Sequence, residues 1–202
     1  LMLRSGNDAA IIIANAVSGS MESFVYLMND TAKTIGMNNT VFYNNHGLEE
    51  NDGRGNLSTA YDMALLTKEA MQDKTFKEIF GTKKYKAKSS YKTYSWTSKN
   101  KLIHNYDYIT GGKTGFTEKA RRTLVTTAAK DNKELVVVTL NDPNDFKDHI
   151  NLYEEAFSCN TTTLYSLIGD IWLYICLAFS AGVCGFGIYK QKRKVKTDDN
   201  KS

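Results

Sequence analysis

The chain has 202 residues, enough for one domain of ordinary size and some additional sequence. Hydrophobic residues make up 42%, so the chain can bury a core, and one proline with 14 glycines exclude a fibrous or low-complexity protein. The formal net charge of +4 arises in the C-terminal tail, because residues 190–202 hold six Lys or Arg against two Asp. The neutral remainder excludes an ordinary nucleic-acid-binding domain, which concentrates positive charge on its docking face.

The N-terminal residues include neither an initiator methionine in first place nor a basic-then-apolar leader. A polar segment at residues 5–8 follows almost at once and is typical of the start of a helix. We therefore expect this chain to be a fragment whose natural N-terminus lies upstream of Leu1.

Helical periodicity dominates the first part of the chain. The apolar run at residues 9–17 is too hydrophobic for a surface helix, so we predict a buried helix with Asn7 and Asp8 as capping residues. Gly36 ends the second helix, and Ser58 is the expected cap of the third. The predicted helices comprise residues 9–17, 20–35, 58–72 and 74–80.

Alternating patterns then replace the helical ones. Residues 83–88 and 91–97 alternate between polar and larger side chains and predict a hairpin. Two further strands, at residues 122–129 and 134–141, are joined by a tight turn, and residues 146–157 form a closing helix. Helices followed by antiparallel strands and one last helix predict an α+β domain.

A long apolar segment lies near the C-terminus. Residues 171–189 contain no charged side chain, residues 164–168 extend the segment past Asp170, and a cluster of cations begins at Lys190. About 20 apolar residues cross a bilayer as a helix, and cations directly after such a segment mark its cytoplasmic side. The alternative is a buried helix of a soluble domain, but such helices rarely run this long without charge.

These features predict three parts of the chain. Residues 1–158 form a domain outside the cytoplasm, residues 164–189 form a single transmembrane helix, and residues 190–202 form a basic cytoplasmic tail. The lipid bilayer is therefore an expected partner of the apolar segment.

The cysteines and histidines predict no disulfide framework, no metal site and no cofactor. Cys159 precedes the apolar segment, and the other two cysteines lie within it. The three histidines are widely separated in the sequence. We predict that His46 is a loop residue with structural hydrogen bonds, and that His104 and His149 lie on the surface or in loops.

The triplet Lys113-Thr114-Gly115 combines an ammonium, a hydroxyl and a stretch of backbone without a side chain. On one strand edge these groups can hold a carboxylate and admit a substrate chain close to the strand. Ser5 and Asn7 offer a hydroxyl and an amide far upstream, so only the fold can bring them to the triplet. A bare Lys-Thr-Gly is more often an ordinary strand and turn, and each tripeptide alone is a weak signal.

Longer strings around these motifs are more specific. LMLRSGNDAA, TVFYNNHGL, STAYDMALL and GGKTGFTEKARRTLV occur in this order. In their order and their residues these strings resemble the low-molecular-weight penicillin-binding proteins, which are the serine D-alanyl-D-alanine carboxypeptidases. The resemblance covers about residues 1–158. The resemblance implies a β-lactamase/DD-peptidase-like fold, an antiparallel sheet packed with helices that is incomplete here at its N-terminus.

The resemblance also implies an activity and its partners. Family members remove the terminal D-alanine from peptidoglycan stem peptides through an acyl-enzyme intermediate, and they bind β-lactam antibiotics. The chain is accordingly expected at a bacterial plasma membrane, with its catalytic domain facing the cell wall.

Three residues are implied to take part in catalysis. Ser5 would relay a proton to the leaving D-alanine, and Asn7 would bind the substrate backbone and help to position the catalytic lysine. Lys113 would supply positive potential around the nucleophile. By the same resemblance, Thr114 would bind the terminal carboxylate.

Two further positions are implied to contact substrate. Gly115 would let the substrate lie along the strand, and the backbone N–H of Phe116 would form half of the oxyanion hole. Some family members add an arginine near the following strand to bind the carboxylate, but residues 140–144 contain none.

The family's Ser-x-x-Lys motif, which holds the nucleophile and its lysine base, is expected before Ser5. The two matches present, beginning at Ser89 and Ser98, follow Ser5 in Lys-rich alternating sequence, and we interpret them as chance matches. The chain as given is therefore expected to lack the nucleophile and to hydrolyse nothing by itself.

Two other functions remain open from the sequence. One is a non-catalytic, membrane-tethered cell-wall-binding module. The other, less favoured, is a class A β-lactamase, because no deacylating glutamate can be placed in the sequence.

Residues 83–101 contain seven lysines, four aromatic residues and no acid, a composition that suggests RNA or single-stranded DNA. Alternation offers a simpler interpretation, with lysines on the wet face of a hairpin and aromatic residues packed beneath it. The predicted location outside the cytoplasm also argues against nucleic acid. A basic flank of this kind could instead attract an anionic cell-wall polymer.

Overall fold

The computed structural model describes residues 1–159, and Leu1–Ser158 form one compact unit. The elements follow the predicted order of helices, antiparallel strands and a closing helix. The helices are α1 (Asn7–Ser18), α2 (Met21–Thr34), α3 (Ala60–Ala70), α4 (Lys74–Phe80), α5 (Leu102–Asn105) and α6 (Asp145–Ser158). The strands are β1 (Lys84–Lys88), β2 (Thr93–Thr97), β3 (Ile109–Thr117), β4 (Arg121–Lys130) and β5 (Lys133–Leu140).

The predicted transmembrane helix at residues 164–189 and the basic tail lie outside the described residues. Within residues 1–159, no single helix is both long and apolar enough to cross a bilayer. α1 and α2 together have the length and apolar composition of a membrane span, but the two helices are bent by 82° relative to each other.

The strands form two antiparallel sheets. β1 pairs with β2 as the predicted hairpin, and the second sheet has the order β3-β4-β5. Asp131 and Asn132 connect β4 to β5 with φ values of 49° and 63°, as a two-residue hairpin turn of type I′ requires. The predicted tight turn is therefore confirmed. Among the described residues β3 pairs only with β4, so it is an edge strand.

The core lies between the second sheet and the helices α5 and α6. Its buried members come from all three elements: Leu102, Ile103, Ile109, Leu124, Ala128 and Tyr153. Aromatic rings extend it, because Tyr153 stacks on Tyr106 and Phe157. α5 was not predicted, since four residues are too few to show a helical period.

A polar network runs through this core. Thr126 Oγ1 lies 2.7 Å from His149 Nδ1 and 2.8 Å from Tyr153 Oη, and His149 Nε2 lies 3.1 Å from Thr139 Oγ1. The prediction that His149 lies on the surface or in a loop is wrong: its side chain is fully buried on α6. Hydrogen bonds to both ring nitrogens offset the cost of removing the imidazole from water.

The first helix differs from its prediction in burial and in capping. Only Ala10 and Ala14 are buried on α1, whereas Ile12 and Val17 are 67% and 65% exposed. The helix begins at Asn7, so neither Asn7 nor Asp8 is its cap, and Gly6 at the N-cap position makes no side-chain capping bond. Apolar composition alone predicted burial, but in the described chain α1 packs mainly against α2.

The third helix is capped by Thr59 and not by the predicted Ser58. Thr59 Oγ1 accepts a hydrogen bond from the backbone N–H of Asp62 at 3.1 Å, while Ser58 Oγ lies 2.9 Å from Thr40 Oγ1. Asp62 is buried, and its Oδ2 accepts hydrogen bonds from Thr40 Oγ1 and from the backbone N–H of Asn39. The hydroxyl of Ser58 therefore serves a tertiary contact.

Candidate active site

The triplet Lys113-Thr114-Gly115 lies in the middle of the edge strand β3, as the sequence predicted. The preceding glycines let this strand pack closely on its neighbours. A Cβ atom at Gly112 would lie 2.3 Å from Asn100 Nδ2 and 2.8 Å from Thr126 Cγ2. Only glycine fits at this position without a shift of the strand that presents Lys113.

Gly115 has a packing role that the sequence did not indicate. A Cβ atom there would lie 2.3 Å from Thr123 Oγ1, which belongs to the paired strand β4. A side chain at this position would displace the Thr123 hydroxyl, so the glycine also serves packing within the sheet. Its predicted role in admitting a substrate chain stays a prediction.

The fold brings Ser5 to Lys113 across 108 positions of sequence. Lys113 Nζ donates hydrogen bonds to Ser5 Oγ and to the backbone oxygen of Thr114, each at 2.5 Å. Ser5 adopts a left-handed conformation (φ 57°), and its N–H donates to the carbonyl oxygen of Leu1 at 2.7 Å. Left-handed backbone is uncommon for a residue other than glycine, and such positions are frequent at functional sites.

Lys113 is partly buried and lies near a second lysine, Lys99. No carboxylate of residues 1–159 forms an ion pair with Lys113. Burial lowers the pKa of Lys113, and the nearby positive charge of Lys99 lowers it further. A partly buried cation of this kind can attract an anionic ligand, and a substrate carboxylate would fit this chemistry.

The remaining predicted site residues lie around this contact with different exposure. Thr114 is half-buried, and Phe116 is 59% exposed and lies opposite Arg122 in the β3–β4 register. Asn7 is exposed in the first turn of α1, and no hydrogen bond involves its side chain among the contacts of the described residues. The structure thus joins Ser5 to Lys113, and within residues 1–159 it shows no hydrogen bond between Asn7 and Lys113.

A loop at residues 44–56 connects the two sides of the site. Asn45 Nδ2 donates to the carbonyl oxygen of Ala10 on α1 at 2.7 Å. Glu49 Oε1 accepts from Thr117 Oγ1, at the end of β3, also at 2.7 Å. His46 Nδ1 accepts from a backbone N–H within the loop at 3.2 Å, which confirms the predicted structural role of this histidine.

Two residues near the site were not predicted. The N–H of Lys99 donates to the carbonyl oxygen of Leu3 at 3.3 Å, so Lys99 joins the N-terminal turn. Asn100 is buried against Gly112, and its Oδ1 accepts from the N–H of Leu102 at 3.0 Å. The only signal in the sequence is an asparagine two residues before an apolar pair, which is typical of a local cap.

The two Ser-x-x-Lys matches lie in other surroundings. Ser89 is in the turn of the hairpin, where its Oγ accepts from the N–H of Lys92 at 3.0 Å. Ser98 follows β2, and its Oγ accepts from the N–H of Asn100 at 3.3 Å. Both hydroxyls thus make local turn contacts.

Residues 1–144 match the sequence profile of the D-alanyl-D-alanine carboxypeptidase family. The chain belongs to this family. It is 37% identical over 139 residues to the D-alanyl-D-alanine carboxypeptidase DacF of Bacillus subtilis, a match that covers 68% of this chain and 35% of the relative. The chain therefore spans about a third of that relative's length.

Solved structures agree with this assignment. A penicillin-binding protein homologue from Mycobacterium tuberculosis, Rv2911, superposes with a TM-score of 0.75 at 29% identity, covering 81% of this chain and 64% of the other. The Streptomyces K15 DD-transpeptidase superposes with a TM-score of 0.71 at 30% identity, covering 78% of this chain and 65% of the other. The predicted α+β, DD-peptidase-like fold is therefore confirmed.

Proposed function

We propose that the protein containing this chain is a serine D-alanyl-D-alanine carboxypeptidase that trims peptidoglycan stem peptides and is inhibited by β-lactams. The observation that supports this most directly is the hydrogen bond from Lys113 Nζ to Ser5 Oγ at the exposed edge of β3. A hydroxyl held by a partly buried cation can pass a proton between reacting groups.

In this proposal a serine outside the present sequence attacks the carbonyl carbon between the two D-alanines. The new carbon–oxygen bond forms first and gives a tetrahedral oxyanion, whose collapse breaks the C–N bond while Ser5 relays the serine's proton to the leaving amine. Water then attacks the acyl-enzyme and releases the shortened peptide, which regenerates the serine. Asn7 binds the substrate backbone and helps to position the lysine that acts as base.

The edge of β3 is the proposed substrate-binding surface. An extended peptide can add to an edge strand through backbone hydrogen bonds. Along this edge, Lys113 provides positive potential and Thr114 binds the terminal carboxylate. The backbone beyond Gly115 lies beside the substrate, and the N–H of Phe116 donates to the developing oxyanion.

The same proposal places the domain outside the plasma membrane of a bacterium. The support is the uncharged segment at residues 171–189 followed by cations from Lys190 onwards. Protease added to intact spheroplasts should digest residues 1–158 and leave a tag at residue 202 protected. Digestion of the C-terminal tag together with the domain would contradict this topology.

Labelling the full-length protein with a fluorescent penicillin tests the enzymatic proposal. We expect Lys113→Ala to slow labelling by about 10²- to 10³-fold, since it removes electrostatic stabilisation of the transition state. The matched control is Lys119→Ala, because Lys119 is exposed and its one hydrogen bond within residues 1–159 is to the carbonyl oxygen of Gly53. Equal labelling rates for Lys113→Ala and the unaltered protein would rule out the proposed site.

The same assay distinguishes the two alternatives. A full-length protein that never reacts with penicillin would be a wall-binding module. One that releases hydrolysed penicillin rapidly, and no D-alanine from a pentapeptide, would be a β-lactamase. Release of D-alanine with slow turnover of penicillin is the result expected here.

A further inference from the structure

Residues 83–101, called the basic hairpin below, have no role in the catalytic proposal. The basic hairpin comprises β1, β2, their turn and the segment leading to α5, and it holds seven lysines and no acid. It also contains four aromatic residues but no aliphatic side chain larger than that of Ala87. This composition suits a surface that binds a charged, ring-containing ligand.

The register of the hairpin separates its aromatic residues from its lysines. Tyr85 lies opposite Trp96, and Ala87 lies opposite Tyr94, so these side chains share one face. The lysines of β1 alternate with them and occupy the other face: Lys84, Lys86 and Lys88. The predicted hairpin is confirmed by this pairing.

The aromatic face is not packed beneath the sheet, and the prediction that it would be is wrong. Tyr85 and Tyr94 are 57% and 43% exposed, and Tyr91 at the turn is 98% exposed. The rings of Tyr85 and Tyr94 both stack on Trp96, at centroid distances of 6.3 Å and 5.6 Å. Three rings in a row form a preformed platform on the surface, with stacking that fixes their orientation.

The lysine face is available to an anion. Lys84, Lys86 and Lys88 are exposed, and none of them pairs with a carboxylate anywhere in residues 1–159. Like charges on one short strand repel each other, which costs stability unless a ligand neutralises them.

The base of the hairpin adjoins the candidate active site. The N–H of Ser98 donates to the carbonyl oxygen of Lys83 and closes the hairpin, and the next residue, Lys99, bonds to Leu3. Lys99 is also close enough to Lys113 for its charge to act on it. The base of the hairpin therefore lies beside the turn that carries Ser5 and near Lys113.

We propose that the basic hairpin binds an anionic cell-wall polysaccharide, with the aromatic face stacking on sugar rings and the exposed lysines supplying a positive potential that attracts its acidic groups within about a Debye length. The inference rests on the proposed function for its location at the cell wall. The hairpin holds no Leu, Ile, Val or Phe, so it offers little apolar area for burial in a bilayer, and the vesicle arm of the test below distinguishes a membrane surface. A nucleic acid would share the chemistry but not the compartment.

Co-sedimentation of the full chain, held in neutral-lipid nanodiscs, with purified wall sacculi tests this inference. We expect binding to wall that retains its anionic polymer to weaken as salt rises, and to fall when the polymer is removed with acid. The triple variant Lys84→Glu, Lys86→Glu and Lys88→Glu should bind about tenfold more weakly. Tyr85→Thr with Tyr94→Thr, which keeps strand propensity, should bind about fivefold more weakly.

A matched control separates the hairpin from net charge. The triple variant Lys33→Glu, Lys68→Glu and Lys74→Glu reverses three exposed lysines on the helices, and it should bind like the unaltered chain. Equal loss in both triple variants would overturn the inference. So would tighter binding to phosphatidylglycerol vesicles than to wall, which would indicate a membrane surface.

This assay needs no acyl-enzyme, so its outcome is independent of penicillin labelling. A protein that binds wall through the hairpin but never reacts with penicillin would retain this inference and lose the enzymatic proposal. If the hairpin variants bind wall as well as the unaltered chain while penicillin labelling is normal, the enzymatic proposal is retained and this inference is lost.

Discussion

Replacement of His149 by glutamine should remove much of the acid sensitivity of the domain. Burial lowers the pKa of His149 from 6.5 to about 4, although Asp145 and Asp142 oppose this change. The folded state therefore resists protonation, while the unfolded chain takes up a proton near its ordinary pKa. Folding stability from this group is complete above pH 6.5 and is lost as pH falls towards 4.

The size of the effect follows from the two pKa values. A difference between 6.5 and about 4 corresponds to a loss of about 3 kcal/mol in the free energy of unfolding. His149→Gln should be destabilised at pH 7, because a hydrogen bond to Thr126 or Thr139 is lost. It should nevertheless show a much flatter dependence on pH between 4 and 6.5.

Amide hydrogen exchange in β4, corrected for intrinsic rates at each pH, measures the free energy of opening at Thr126. The matched control is His104→Gln, which removes an exposed imidazole and keeps His149, so the acid sensitivity due to His149 should remain. If His149→Gln loses as much stability between pH 6.5 and 4 as the unaltered chain, the buried imidazole is not the titrating group.

Three further substitutions test individual contacts. Lys99→Gln should raise the pKa of Lys113, because one of the two causes that lower it is removed; NMR titration of the lysine side chain measures this. Gly112→Ala should reduce the free energy of unfolding by about 1 to 3 kcal/mol, since its Cβ would meet Asn100 Nδ2. Thr59→Ala should cost about 1 kcal/mol through loss of the α3 cap, as measured by urea unfolding.

Each of these has a contrasting outcome. Gly55→Ala is the control for Gly112→Ala, because a Cβ at Gly55 would make only an ordinary van der Waals contact, and it should change the free energy of unfolding by less than about 0.5 kcal/mol. If the two substitutions cost the same, the close contact between position 112 and Asn100 is contradicted. A capping loss in Ser58→Ala, but none in Thr59→Ala, would restore Ser58 as the cap. An unchanged pKa of Lys113 in Lys99→Gln would leave burial as its only cause.

Local sequence was sufficient for elements whose stabilising contacts lie within a few residues. The range of α4, the tight turn between β4 and β5, and the hairpin of β1 and β2 were predicted because helical period, turn propensity and alternation act over short distances. The order of the elements predicted the α+β class, and the long motif strings identified the family.

Only the tertiary structure decided which side chains meet and which remain in solvent. Composition predicted burial for α1, alternation predicted packing of the hairpin's aromatic face, and His149 was predicted on the surface or in a loop. Each prediction failed because burial depends on neighbours distant in sequence. The contact between Ser5 and Lys113 has the same origin, since it joins the turn before α1 to the edge of β3. The sequence by itself determined the chemical groups and the local backbone, while long-range packing set their distances and the charge around Lys113.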